Sequence, residues 1–260
     1  MTRTLLIIAG AALVLCLACL GGAAALGGRD MARHGWAWTV RDDNGESVRI
    51  ERVRGGGSND LGPRITRNLA WSGETLTLDS SLDVDFVQGA EAGVVVTGPK
   101  GLADRVRVEN GRIFLAEGDE RVVFGWGPDG LNARSERGEL SIVVTAPRVS
   151  RFDINGSGDL TLRNYDQPTL AIGVNGSADV TGTGKTQRLE LEITGSGDVD
   201  LGDLTLTDAA ITINGSGEAR AGPTGKADID ISGSGDVTLT RRPAQLNRTI
   251  TGSGAVEESF

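Results

Sequence analysis

Six near-copies of one short box close the chain: NGSGDLTL from Asn155, NGSADVTG from Asn175, TGSGDVDL from Thr194, NGSGEARA from Asn214, SGSGDVTL from Ser232 and TGSGAVEE from Thr251. Counted from the first glycine of each box (Gly156, Gly176, Gly195, Gly215, Gly233, Gly252), the spacings are 20, 19, 20, 18 and 19 residues. A fixed period near 20 residues marks a repeat architecture. Each unit reads as box, short strand, turn and second strand. A simple hairpin needs only about 12 to 14 residues at ordinary strand lengths. One circuit of a coil uses the whole period. Every box then lies above the previous one, strands pair in parallel about 4.8 Å apart, and inward Val, Ile and Leu stack into an apolar column. The reading is an all-β fold, a single-stranded parallel β-helix or β-solenoid with coils of about 19 residues.

The box residues suit the corner of such a coil. Glycine reaches backbone angles closed to other residues. The first glycine is present in all six copies and the second is replaced by Ala178 in one, so only the first is expected to be sterically obligatory. Serine follows it every time, at 157, 177, 196, 216, 234 and 253. The residue before it is always Asn, Thr or Ser, suited to a polar ladder or to local turn bonds. The acid is looser: Asp159, Asp179, Asp198, Glu218, Asp236 and then Ala255. Stacked carboxylates face water or hold cations. Calcium takes six to eight oxygens, and the calcium-binding β-roll box places its Asp two residues after a glycine within a period half as long. Here the acid directly follows the second box position. A structural turn is favoured, with a calcium-stiffened module as one alternative.

Upstream, period-two patterns mark further strands: TLTLD, LDVDFV, GVVVTG, RVRVE, RIFLA and ELSIVVTAP. GLADRV is expected to make one helical turn. Residues 29–75 read as lead-in and linker, with WAWTV and SVRIERV as short strands and GGGSND as a flexible joint. The solenoid domain is assigned to 76–257. Residues 1–28 hold Arg3 and then a charge-free run from Thr4 to Gly28. This run reads either as a cleaved signal with an h-region from Leu5 to Leu20, or as a retained anchor helix over residues 5–27. A lipoprotein reading on Cys19 places its leucine one position too close. Both cysteines, Cys16 and Cys19, lie inside this run. The remainder therefore has no disulfide, thiolate metal site or cysteine nucleophile. The expected location is the periplasm or cell surface, with the membrane engaged through residues 5–27 if they are kept.

Glycine is abundant, at 39 of 260 residues, and the formal charge is −9. Lys and Arg are dispersed, which argues against a nucleic-acid surface. His34 is the only histidine. It sits in the linker, unable to build a triad or a multi-histidine metal site alone. No cofactor and no catalytic residue is assigned. Repeat carboxylates could serve a carbohydrate-active enzyme on a β-helix, since glycosidases need two. From residue 152 to 256, however, the only aromatics are Phe152 and Tyr165, a poor platform for sugar rings. Phe124 and Trp126, within residues 120–138, are candidate contacts for an envelope protein or glycan. The alternative for that stretch is a hairpin packed on the solenoid wall. Solenoid ends can pair, so a homo-oligomer is allowed for, and Glu257 and Glu258 are placed to blunt the C-terminal edge.

The order of elements DVDFVQGAEAGVVVTGP, RVRVENGRIFLAE and GELSIVVTAPRVSRFDINGSGDLTL, followed by the GSGD series, closely resembles the bacterial DUF2807 family, also called the head GIN domain of putative autotransporter adhesins. The resemblance runs from about Leu76 to Val256. It implies a β-helical solenoid on a secreted, periplasmic or lipid-anchored protein, and a non-catalytic adhesin-like or structural role. It supplies no catalytic motif. The chain departs from the family in residues 117–138, which read as an insertion, and in the long lead-in before Leu76.

Overall fold

The computed structural model describes residues 37–41, 47–52, 63–116, 120–127, 130–135 and 139–260, with side chains described over 63–116 and 139–260. The expected N-terminal signal or anchor, the GGGSND joint and His34 lie outside the described residues. No described helix is long and apolar enough to cross a membrane.

The described strands fall into two compact units. The smaller is a four-stranded sheet. Ala37–Arg41 pairs antiparallel with Ser47–Arg52, which runs parallel to Glu120–Gly127, which pairs antiparallel with Gly130–Ser135. The two strands expected in the lead-in are present. The stretch that reads as an insertion is a hairpin hydrogen-bonded to one of them.

The larger unit is the solenoid, of about five turns. Successive strands on one side are Arg151–Gly156, Thr169–Gly176, 188–195, 208–215, Lys226–Gly233 and Gln245–Gly252, each parallel to the next. In this register Gly156, Gly176, Gly195, Gly215, Gly233 and Gly252 form one column. After each box a second strand runs along another side, from Leu160–Asp166 through 180–182, 198–201, Glu218–Pro223 and Asp236–Leu239 to Ala255–Glu258. Register shifts such as the one between Thr181 and Gly184 turn the chain onto the remaining side.

Alternation along these strands divides inside from outside. Ile154, Val174, Ile193, Ile213 and Ile231 share one register column, and all are buried. Phe152, Ile172, Leu191, Ile211 and Ile229 form the next. Because each apolar residue sits over one like itself, every added coil buries both its own column atoms and those of the coil below. Near the start of the column Phe86, Phe152 and Tyr165 meet edge to face, with ring centroids 5.0 and 6.1 Å apart. The Tyr165 hydroxyl donates toward the carbonyls of Thr169, at 2.7 Å, and Val149, at 3.1 Å. Burial pushes this phenol's pKa well above its ordinary value.

The corner explains the box. The backbone N–H of the serine donates to the first-glycine carbonyl of the coil below: Ser177 to Gly156 at 3.0 Å, Ser196 to Gly176 at 2.9 Å, and Ser216 to Gly195 at 2.8 Å. That carbonyl points along the coil axis into the space a side chain would need. A Cβ on Gly215 would lie 2.2 Å from the Gly195 oxygen, and Gly215 also has φ +141°. The expectation that only the first glycine is obligatory needs correction. A Cβ on the second glycine, Gly217, would lie 2.4 Å from the Gly197 oxygen. The chain accepts Ala178 at one level, where it is fully buried, but the position is cramped at the others.

The column starts one level earlier than its boxes. Leu78 pairs with Ile154, the Ser81 and Ser157 hydroxyls lie 2.8 Å apart, and Asn155 Nδ2 donates to Asp79 Oδ1 at 2.7 Å. Residues 79–83, DSSLD, are thus a founding corner without glycine. Between this level and the next the chain makes an excursion that finishes the N-terminal end. Val84–Gln88 is flanked by parallel Ser141–Ala146, then by antiparallel Gly93–Pro99 and Arg64–Leu69. Thr75–Leu78 is flanked by Arg112–Leu115 and then by antiparallel Val106–Glu109. Asn110 and Gly111, with φ 50° and 81°, form the tight turn of that last hairpin. The helical turn expected in GLADRV is Lys100–Ala103, which buries Leu102 and Ala103.

Three substitutions test this account by thermal and chemical denaturation. Gly215→Ala is expected to cost about 3 kcal/mol or more, since it adds backbone strain to overpacking. Gly101→Ala, with no atom within 4 Å of the new methyl, should change stability by less than about 0.5 kcal/mol. Tyr165→Phe removes the buried hydroxyl that bonds the Val149 and Thr169 carbonyls and is expected to cost roughly 1–3 kcal/mol.

Candidate functional site

The outer wall that follows the boxes carries the box acids and, beside them, Asp85, Asp200 and Glu257. One register row along it is Asp85, Thr161, Thr181, Asp200, Arg220, Thr238 and Glu257. Beside it runs the row of box acids, with Asp83 as its founding member. Each wall residue alternates with a buried apolar neighbour, such as Val180, Val199 or Ala219, so the pleat holds both rows outward. The wall is concave in two places. A groove of about 350 Å³ is lined by Asp179, Asp198, Asp200, Glu218, Arg220 and Asp236. A smaller dip of about 150 Å³ lies among Asp83, Asp85, Ser141, Asp159 and Thr161.

The box acids are bricks first. The backbone N–H of Asp159 donates to Asp83 Oδ1 at 3.1 Å, that of Asp179 to Asp159 Oδ1 at 3.2 Å, that of Glu218 to Asp198 Oδ1 at 3.1 Å and that of Ala255 to Asp236 Oδ1 at 2.7 Å. Above Glu218 the pattern changes, and Asp236 N–H reaches the Gly217 carbonyl at 3.2 Å instead. The carboxylates of Asp83, Asp159, Asp198 and Asp236 thus each accept an amide of the coil above. Ala255, in the last box, has no described coil above it to serve. Partial burial raises the Asp159 pKa above the usual carboxylate range. The Asp179 amide opposes this shift, and the negative charges of Asp83 and Asp179 add to it. Two cross-coil ion pairs moderate the wall, Arg163 to Asp85 at 2.9 Å and Arg220 to Asp200 at 3.8 Å.

Among the described residues no group of three or more His, Cys, Asp or Glu converges as metal ligands would. The carboxylates are laid out in rows along the wall rather than around a point. Phe152 and Tyr165, the repeat aromatics, are buried in the core and present no ring to a groove. Phe124 and Trp126 fall on strand Glu120–Gly127, in register with Ala133 and Leu131. Their side chains lie outside the described residues. What the box periodicity alone did not reveal is Asp83 and Asp85. The DSSLDVD stretch does carry the acid spacing of a box followed by a strand, but not its glycines.

The chain matches the model of the family described as "Putative auto-transporter adhesin, head GIN domain" over residues 74–243. Among curated proteins none matches this chain. Among solved structures, a "putative adhesin" from Bacteroides fragilis shares the fold at 17% identity, with a TM-score of 0.57 over 75% of this chain and 97% of that one. A "putative adhesin" and a "putative lipid binding protein," both from Parabacteroides distasonis, align at TM-score 0.45 with 15% and 18% identity, each covering 80% of this chain and 99% of the other. With well over half its length matched and the glycine column in place, the chain belongs to the DUF2807 family, the head GIN domain of putative auto-transporter adhesins.

Proposed function

We propose that the protein is a non-catalytic module of the cell envelope that binds a surface partner, protein or glycan, along the acid-rich wall of its solenoid. The observation that carries this reading is the double use of the box acids. One oxygen of a carboxylate such as Asp159 or Asp198 accepts an amide of the next coil, while the side chain stays exposed on an open groove. Such a surface is rigid, regularly spaced and negatively charged, which suits multipoint contact with a partner bearing basic or hydroxyl groups. Membership of a family named for adhesins supports a binding role, and residues 5–27 supply a means of export or of anchoring to the inner membrane. Acids deployed in rows along the wall, several of them engaged by backbone amides, do not favour the alternative of a carbohydrate-active enzyme, which needs two carboxylates facing one bond.

Asparagine keeps the amide acceptor but removes the charge. The triple variant Asp179→Asn, Asp198→Asn, Asp236→Asn should therefore fold and melt much as the parent does, while its retention on isolated envelope material and on glycan arrays weakens severalfold. Product analysis of retained glycans should show no turnover. Unchanged retention by the triple variant would move the binding surface off this wall. Trp126→Ala in the same assay tests whether the hairpin contributes to the contact.

A further inference from the structure

We propose that two copies of the chain associate end to end through their last coil, about a two-fold axis passing through the Ser253 corner. The two ends of the solenoid are finished differently. At the N-terminal end the coils give way to antiparallel strands and a helical turn. At the C-terminal end the last described coil has no described strand over it. Among the described residues, Gln245–Gly252 pairs only with Lys226–Gly233, and Ala255–Glu258 only with Asp236–Leu239. Both strands therefore present one full row of unpaired amides and carbonyls, the feature that natural folds cover or block.

The inward positions of this last coil are the second observation. Leu246 and Val256 continue the apolar columns and are only partly buried, with no described coil above them. Ile250, over Ile231, is 38% exposed. Phe260 adds an exposed ring beside this end, with Arg242 over its face at 5.2 Å. The other two inward positions break the pattern. Arg248 stands over Ile229, and Glu258 stands over Leu239. Neither makes an ion pair among the described residues.

Opposite charges at these two positions are what a self-complementary surface needs. A two-fold axis through the box corner, perpendicular to the column, lays Gln245–Gly252 of each copy antiparallel to Ala255–Glu258 of the other. Residues equidistant from Ser253 then face one another. Ile250 meets Val256 of the second copy, and Arg248 meets Glu258 of the second copy; each contact occurs twice, as an isologous interface requires. The edge amides of both copies gain partners in the same step. Glu258, expected from the sequence to blunt this edge, becomes half of an ion pair across it. Head-to-tail stacking is disfavoured because the opposite end already terminates in antiparallel strands.

The test is sedimentation of the full-length chain in detergent over a range of concentrations, with thermal melting as the folding control. The parent is expected to be a dimer. Arg248→Glu and Glu258→Arg, each alone, should raise the dimer dissociation constant at least about tenfold, the scale of one close charge pair. The double exchange should restore it to within about threefold of the parent. A monomeric parent overturns the proposal, and so does a dimer indifferent to the single variants, since its contact would lie elsewhere. The proposal does not depend on the acid wall: the triple asparagine variant should remain dimeric, so the two readings can fail separately.

Discussion

A single contact repeated at each corner fixes the architecture: the carbonyl of one coil's first glycine accepts the serine N–H of the next and occupies the volume of the next glycine's missing side chain. Parallel strands with one buried face must hold register, because a slip of one residue would turn every apolar side chain outward. The glycine–serine corner pins that register once per coil. It explains why a box, rather than a hydrophobic pattern alone, recurs in the sequence. The apolar columns of Ile, Val and Leu then supply the bulk of the burial, and they do so cooperatively, each coil stabilising its neighbours as in other linear repeats.

The polar half of the box follows from the same stacking. A carboxylate one level below the next amide becomes its acceptor, and the Asn155 amide reaches down to Asp79 as Asn175 reaches down to Asn155, at 3.1 Å. Rows of like charge would be unfavourable if buried. Here they remain at the water boundary, offset by bonds to amides and by Arg163 and Arg220. Order and exposure therefore coexist on the wall, and that combination lets a structural repeat double as a binding surface.

The two ends of the column show the constraint by releasing it. At the founding level no glycine corner is described beneath residues 79–83, and Ser80 stands where later coils need glycine. At the last box no further coil is described, and Ala255 stands where the earlier boxes carry an acid. Each end drops the residue whose partner is missing. The N-terminal end is finished by antiparallel strands and a helical turn, whereas at the C-terminal end Arg248 and Glu258 make no ion pair among the described residues.

The repeat, its period, the parallel coil and the inward columns were legible before any coordinates, because each depends on residues close together in the chain and copied at a fixed spacing. The sequence also offered no histidine- or cysteine-based constellation, since His34 is the only histidine and both cysteines lie within residues 1–28. The founding corner at 79–83 was not legible, since it meets the first box across some 76 residues of intervening chain and lacks the glycines that label the others. The cramping of the second glycine was equally hidden, because only coordinates show which carbonyl approaches it. The tertiary structure alone decided the use of the carboxylates, the hairpin's union with the lead-in strands, and the juxtaposition of Arg248 and Glu258 on one open end. All three depend on which distant segments lie edge to edge, and that is set by the stacking of coils rather than by any local preference of the chain.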